Sequence, residues 1–217
     1  MFAQILWTQT KWTRAMVLGF AALAFLMPVG GWNLMASQAG GTSPEGFIMG
    51  FQLVGPLAAF IACLSGFLMA AYPWSLDHAA NHVYPLSLPI TWPSYVTQRF
   101  VAGAILLAIP AVALLVGCLL ALSFIALPPV LHAYPVGFAL RFFFATLLAY
   151  SLSFALQYLG GRRAAPLLLG ALIAFLVTGV VLQVLGLEGL QAAIARLFLQ
   201  WPGPFAIFVE GWRLVDV

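Results

Sequence analysis

The sequence predicts an all-α integral membrane protein, a bundle of five to six transmembrane helices. Three observations carry that prediction. The composition is 64% hydrophobic and 6% charged, with mean hydropathy +1.08, whereas a soluble domain carries about 25% charged residues and must present a wettable exterior. Five apolar runs each reach the about 20 residues a helix needs to cross the hydrocarbon, and backbone that finds no water in lipid takes helical form. The few Lys and Arg residues gather at alternate junctions between the runs, as they do on cytoplasmic connections. No composition shift divides the chain, so residues 1–217 read as a single transmembrane domain.

Residues 1–14 mix Phe2, Ile5, Leu6 and Trp7 with polar partners, which fits an N-terminal interfacial helix. Lys11 and Arg14 then precede the first span, Ala15 to Asn33. Together with Ser37-Gln38-Ala39 they mimic a signal peptide, but the run is expected to stay as a span. The loop from Leu34 to Glu45 holds neither Lys nor Arg and reads as outer. Span two is Gly46 to Tyr72, and a polar segment over 73–99 follows it. Within that segment, Asp77 to Arg99 contains two of the three histidines, one of the five acids and three of the fourteen prolines. Span three is Phe100 to Leu127, span four Val136 to Leu159 and span five Ala165 to Leu187. Spans two and three are long enough to tilt or to project past the lipid.

Arg99 and the turn Gly160-Gly161-Arg162-Arg163 join Lys11 and Arg14 in placing the N-terminus, the 73–99 segment and that turn in the cytoplasm. Arg141 is the exception, near the outer start of span four; it either snorkels outward or pairs inside the bundle. In the tail, 188–217, Arg196 interrupts the apolar pattern and Trp201-Pro-Gly-Pro204 breaks any helix. Outer short helices with Trp201 and Trp212 at the membrane interface are expected there, with a degenerate sixth span as the alternative.

Several chemistries find no support. A phosphate loop needs a Gly-rich turn and a Lys, and the one lysine, Lys11, lies in no such motif. The chain is therefore not read as an enzyme, and any ATP hydrolysis falls to a partner subunit. His78 and His82, four apart, share a helix face, with Asp77 as a conceivable third metal ligand. Three histidines in the whole chain are too few for a membrane di-iron centre, and a solvated polar helix is the plainer reading. His132 lies in an outer turn rather than mid-span, so no haem or pigment ligand is placed, and no cofactor is expected. Cys63 and Cys118 sit in apolar runs as small hydrophobes. No GxSxG motif supports a hydrolase. Gln52 and Gln183 are the modest polar points within the spans, whereas proton-coupled carriers bury acids or histidines there. A net charge of +3, scattered, gives no nucleic-acid footprint.

The run Asp77-x4-His82-Val-Tyr84-Pro-Leu86-Ser-Leu-Pro89-Ile-Thr-x3-Tyr95-Val-x2-Arg99-Phe-x-Ala-Gly103 resembles the cytoplasmic segment of ABC-2 type transporter permeases. In that family an acid precedes a short helix and a Leu-x-Leu-Pro step that leads into span three. The resemblance implies that 73–99 is a coupling helix resting on an ABC ATPase subunit. Asp77, His82, Tyr84, Leu86 and Pro89 would be partner contacts, with Phe2 to Trp12 as the family's interfacial elbow. It further implies a permease, an exporter, working as a homodimer or a heterodimer with another permease in the bilayer of a bacterial inner (plasma) membrane. Pro85, Pro89 and Pro93 would stiffen such an element, and Tyr84, Trp92 and Tyr95 would serve as interface anchors. Coupling segments of the family are richer in charge than this one. That keeps a second reading open: a non-transporting structural or accessory subunit of a larger membrane complex.

Overall fold

Apolar runs longer than the hydrocarbon needs become four long helices. The computed structural model describes residues 1–38, 44–79, 89–124, 132–160, 206–209, 211–212 and 214–216, with isolated positions between 170 and 205. Helix α1 is Phe2–Gln38, α2 Pro44–Ala79, α3 Trp92–Ser123 and α4 Pro135–Gly160. A short strand β1, His132–Ala133, precedes α4; a short helix α5, Ala206–Val209, and a strand β2, Val215–Asp216, close the tail. Each of the four long helices contains a stretch long and apolar enough to cross a membrane: Phe2–Gly30, Val54–Asp77, Trp92–Ser123 and Pro135–Leu159. Pro28, Pro56, Pro73 and Pro110 lie inside these helices, a placement that transmembrane helices tolerate.

Packing pairs α1 with α3 and α2 with α4. The partners in each pair run parallel: Gln9 meets Gly103 and Phe25 meets Gly117, while Gly66 meets Thr146 to Tyr150. Since lipid is as apolar as the helix surface, such contacts rest on close approach rather than on water exclusion. A side chain at Gly66 would collide with the Thr146 carbonyl, and one at Gly117 with the Phe25 backbone. The Ser153 hydroxyl adds an interhelical bond, donating to the Phe67 carbonyl at 3.2 Å. Large apolar side chains such as Leu18, Leu26, Phe60, Val112, Leu119 and Phe144 face outward, as lipid solvation demands.

The bundle thus has a basal end, carrying Met1, Asp77, Trp92 and Gly160, and a distal end, carrying Ser123 and Pro135. At the distal end the tail is built into the core. β2 pairs antiparallel with β1, His132 opposite Asp216 and Ala133 opposite Val215, and Tyr134 N–H donates to the Leu214 carbonyl at 2.9 Å. Trp212, expected at the membrane interface, is instead 6% exposed. It packs edge-on to Phe138 at 5.6 Å, and its indole N–H donates to Ile207 O at 2.8 Å. Arg141 lays its guanidinium over the Trp212 ring at 5.7 Å, which gives a cation near membrane depth a protein partner.

Two further expectations change in form. The interfacial helix over 1–14 is not a separate element, because α1 continues without a break from Phe2. Ile5, Gln9 and Thr13 are buried on one face of those first turns, against α3. Spans two and three also extend beyond their apolar runs into the polar segment, with α2 ending at Ala79 and α3 starting at Trp92. The fifth expected span, most of the tail before Phe205, Arg162, Arg163 and Trp201 lie outside the described residues.

Candidate functional site

The one buried ion pair among the described residues joins the two ends of the polar segment. Asp77 sits in the last turn of α2 and Arg99 in the second turn of α3. Tyr95 and Arg99, four apart, share the face of α3 that packs inward. The Asp77 carboxylate contacts Arg99 Nη1, and the two side chains are 1% and 3% exposed. Tyr95 completes the network: its hydroxyl donates to Asp77 Oδ2 at 3.0 Å and accepts from Arg99 Nη1 at 2.8 Å. The guanidinium also lies over the Trp74 ring, 4.6 Å from its centroid.

Aromatic packing holds this network in place. Trp74 meets Phe154 edge-on at 5.5 Å, and Phe100 meets Phe154 at 5.3 Å and Tyr150 at 5.3 Å. These side chains bring α2, α3 and α4 together at the basal end. The Tyr150 hydroxyl points at the carbonyls of Arg99, 3.5 Å away, and Phe100, 3.4 Å away. From α1, Gln9 reaches the same spot, and Gly103 leaves the room, since a Cβ there would strike both the Tyr150 hydroxyl and the Gln9 amide. Ile5, Thr8, Gln9 and Trp12 line a small cleft against Tyr95 and Arg99.

Electrostatically the arrangement is a lock rather than a reactive centre. A buried pair gives little net stability, but removing one member strands the other charge at a cost of about 3–5 kcal/mol. Both charged side chains are almost fully buried, and no group of three His, Cys, Asp or Glu side chains able to hold a metal occurs among the described residues. The geometry can fix where the connection between α2 and α3 leaves and re-enters the bundle.

The residues expected to touch a partner separate accordingly. Asp77, expected as a contact, has its carboxylate turned inward, where Arg99 and Tyr95 occupy it. Tyr95, expected as an interface anchor, is 2% exposed; Trp92 remains exposed and stacks on it at 5.7 Å. Pro89 is exposed, at a bend just before α3. His82, Tyr84 and Leu86 lie outside the described residues, as does the side chain of His78, so the candidate metal pair is not brought together by any described geometry. Trp74, Arg99 and Tyr150 were missed as members of a site. The readable signal was that the segment's acid and base are of opposite sign and flank the same break between apolar runs.

A family model described as ABC-2 family transporter protein matches residues 46–206. No curated protein and no solved structure matches the chain.

Proposed function

The chain belongs to the ABC-2 family of transporter membrane proteins, and on that premise we propose that it is the permease subunit of an ATP-binding-cassette exporter. The observation that carries the mechanism is the Asp77–Arg99–Tyr95 lock at the root of the 73–99 segment. Separate ATPase subunits bind and hydrolyse ATP, and the 73–99 segment is the coupling helix that receives their motion. His82, Tyr84, Leu86 and Pro89 form the contact surface. Asp77 acts through Arg99 and Tyr95 as a positioning residue. Because both ends of the segment are fastened to helices that pack along their whole length, a push on it is transmitted to α2 and α3 together. Two copies, or this chain and a related permease, enclose the path. Spans so poor in ionisable groups suit an apolar or amphipathic substrate.

The basal end then faces the cytoplasm of a bacterial inner membrane. Lys11, Arg14 and Arg99 support that orientation, as do Arg162 and Arg163, which follow α4 in the sequence. A fifth crossing over Ala165 to Leu187 belongs to the same proposal. Gly160 ends α4 at the basal end, whereas α5 packs on α2 and α4 beside Trp212 at the distal end, which supports that reading.

Extraction in mild detergent, with identification of co-purifying proteins, tests the proposal. An ATPase subunit is expected to accompany the wild-type chain and to be lost from Leu86→Arg. A stable assembly without any ATPase, unaffected by Leu86→Arg, overturns the permease reading in favour of an accessory subunit.

A further inference from the structure

The first turns of α1 carry two cations that the proposed mechanism does not use. Trp7, Lys11 and Arg14 stand at i, i+4 and i+7 and so form one stripe. At about 100° per residue this stripe points directly away from Ile5, Gln9 and Thr13, the buried face that packs on α3. All three side chains are exposed, Trp7 at 67%. Lys11 Nζ lies over the Trp7 ring at 5.5 Å, so the ammonium and the indole already share one place. Leu18, 65% exposed, continues the same stripe into the apolar stretch.

Level and charge identify what covers it. The uninterrupted apolar stretch of α1 begins at Ala15, and about 20 residues from there span the hydrocarbon. Lys11 and Arg14 therefore sit where acyl chains give way to headgroups, and Trp7 sits in the aromatic belt. Asp77 is the one acid at the basal end among the described residues, and Arg99 occupies it. Charge balance for Lys11 and Arg14 must come from outside this part of the chain.

We infer that the Trp7–Lys11–Arg14 stripe of α1 binds the phosphate of an anionic phospholipid in the basal leaflet. The two cations hold the headgroup, the indole packs at the glycerol level, and Leu18 lies along the acyl chain. This goes beyond the permease assignment and stands without it, since it needs only that α1 crosses the bilayer.

The test is native mass spectrometry of the full chain released from nanodiscs of phosphatidylcholine and phosphatidylglycerol in equal parts. Phosphatidylglycerol should be retained preferentially by the wild type and by Lys11→Arg. Retention should fall about fivefold in Lys11→Gln and further in Lys11→Gln/Arg14→Gln, following the usual gain per basic residue at an anionic surface. Both positions face away from the bundle, and an unchanged melting temperature confirms that the variants are folded. Equal retention by wild type and double variant overturns the site. So does displacement of the lipid by millimolar inorganic phosphate, which would mark a free-anion site instead.

Discussion

Replacing Asp77 by Ala removes the one acid among the described residues that faces Arg99 and leaves a guanidinium in a place that is 3% exposed. Stranding one member of a buried pair costs about 3–5 kcal/mol. Arg99 keeps its bond to the Tyr95 hydroxyl and its seat on Trp74. Stacking of that kind contributes about 2 kcal/mol when desolvated, which sets the expected loss at the lower end, ~3 kcal/mol. For a chain of this length each kcal/mol moves the melting temperature by about 2–4 °C, so Asp77→Ala should melt roughly 6–12 °C below wild type. Arg99→Ala strands the carboxylate and should cost a similar amount. The double variant should be less damaged than the sum of the singles, with a coupling energy on the order of 2 kcal/mol. Intrinsic fluorescence melting in mild detergent measures all three. Single variants that melt with the wild type, or a double variant whose losses simply add, would refute the claim that these residues act as a lock.

Two further perturbations probe the frame around it. Gly66→Leu drives a side chain into the Thr146 carbonyl and the Ala149 Cβ. Overpacking of this kind costs about 1–3 kcal/mol or more, seen as a lower melting temperature, while Gly19→Leu, where nothing lies within 4 Å, should leave melting unchanged. In a background of Cys63→Ser and Cys118→Ser, the pair His132→Cys/Asp216→Cys should form a disulfide under mild oxidation, because the two positions are Cα partners in the β1–β2 pair. A mobility shift reversed by reductant reports it, and its absence would detach the tail from the distal end.

The spans were legible wherever apolar composition alone decides: the helix Pro135–Gly160 lies almost on the run that begins at Val136 and ends at Leu159. At the basal end composition misled, for one reason. Composition reads these polar residues as exposed, yet Gln9, Thr13, Asp77 and Arg99 are all buried: Asp77 and Arg99 meet each other across helices, Gln9 reaches Tyr150, and the Thr13 hydroxyl donates to the Gln9 carbonyl of its own helix. That pairing lets α1 run straight through Lys11 and Arg14, and lets α2 and α3 extend past Tyr72 and ahead of Phe100. Asp77 and its partner stand 22 positions apart in chain order, and their opposite signs at the two flanks of one break between apolar runs are the whole of the signal. Trp212 was misplaced by the same logic in reverse. An aromatic near the end of a membrane chain suits the interface, but Arg141 and Phe138 on α4 form a seat for it. That seat appears only once the tail folds back onto β1.

The proposed function requires that the 73–99 segment be the surface on which a separate ATPase subunit rests. Pro89, exposed just ahead of the lock, is the described position best placed to report it. In the same Cys63→Ser/Cys118→Ser background, Pro89→Cys carrying a photoactivatable crosslinker would be illuminated in native membranes and its adduct sequenced. A covalent adduct with a protein bearing a phosphate-loop motif is expected. An adduct only with lipid, or with a protein lacking that motif, would contradict it.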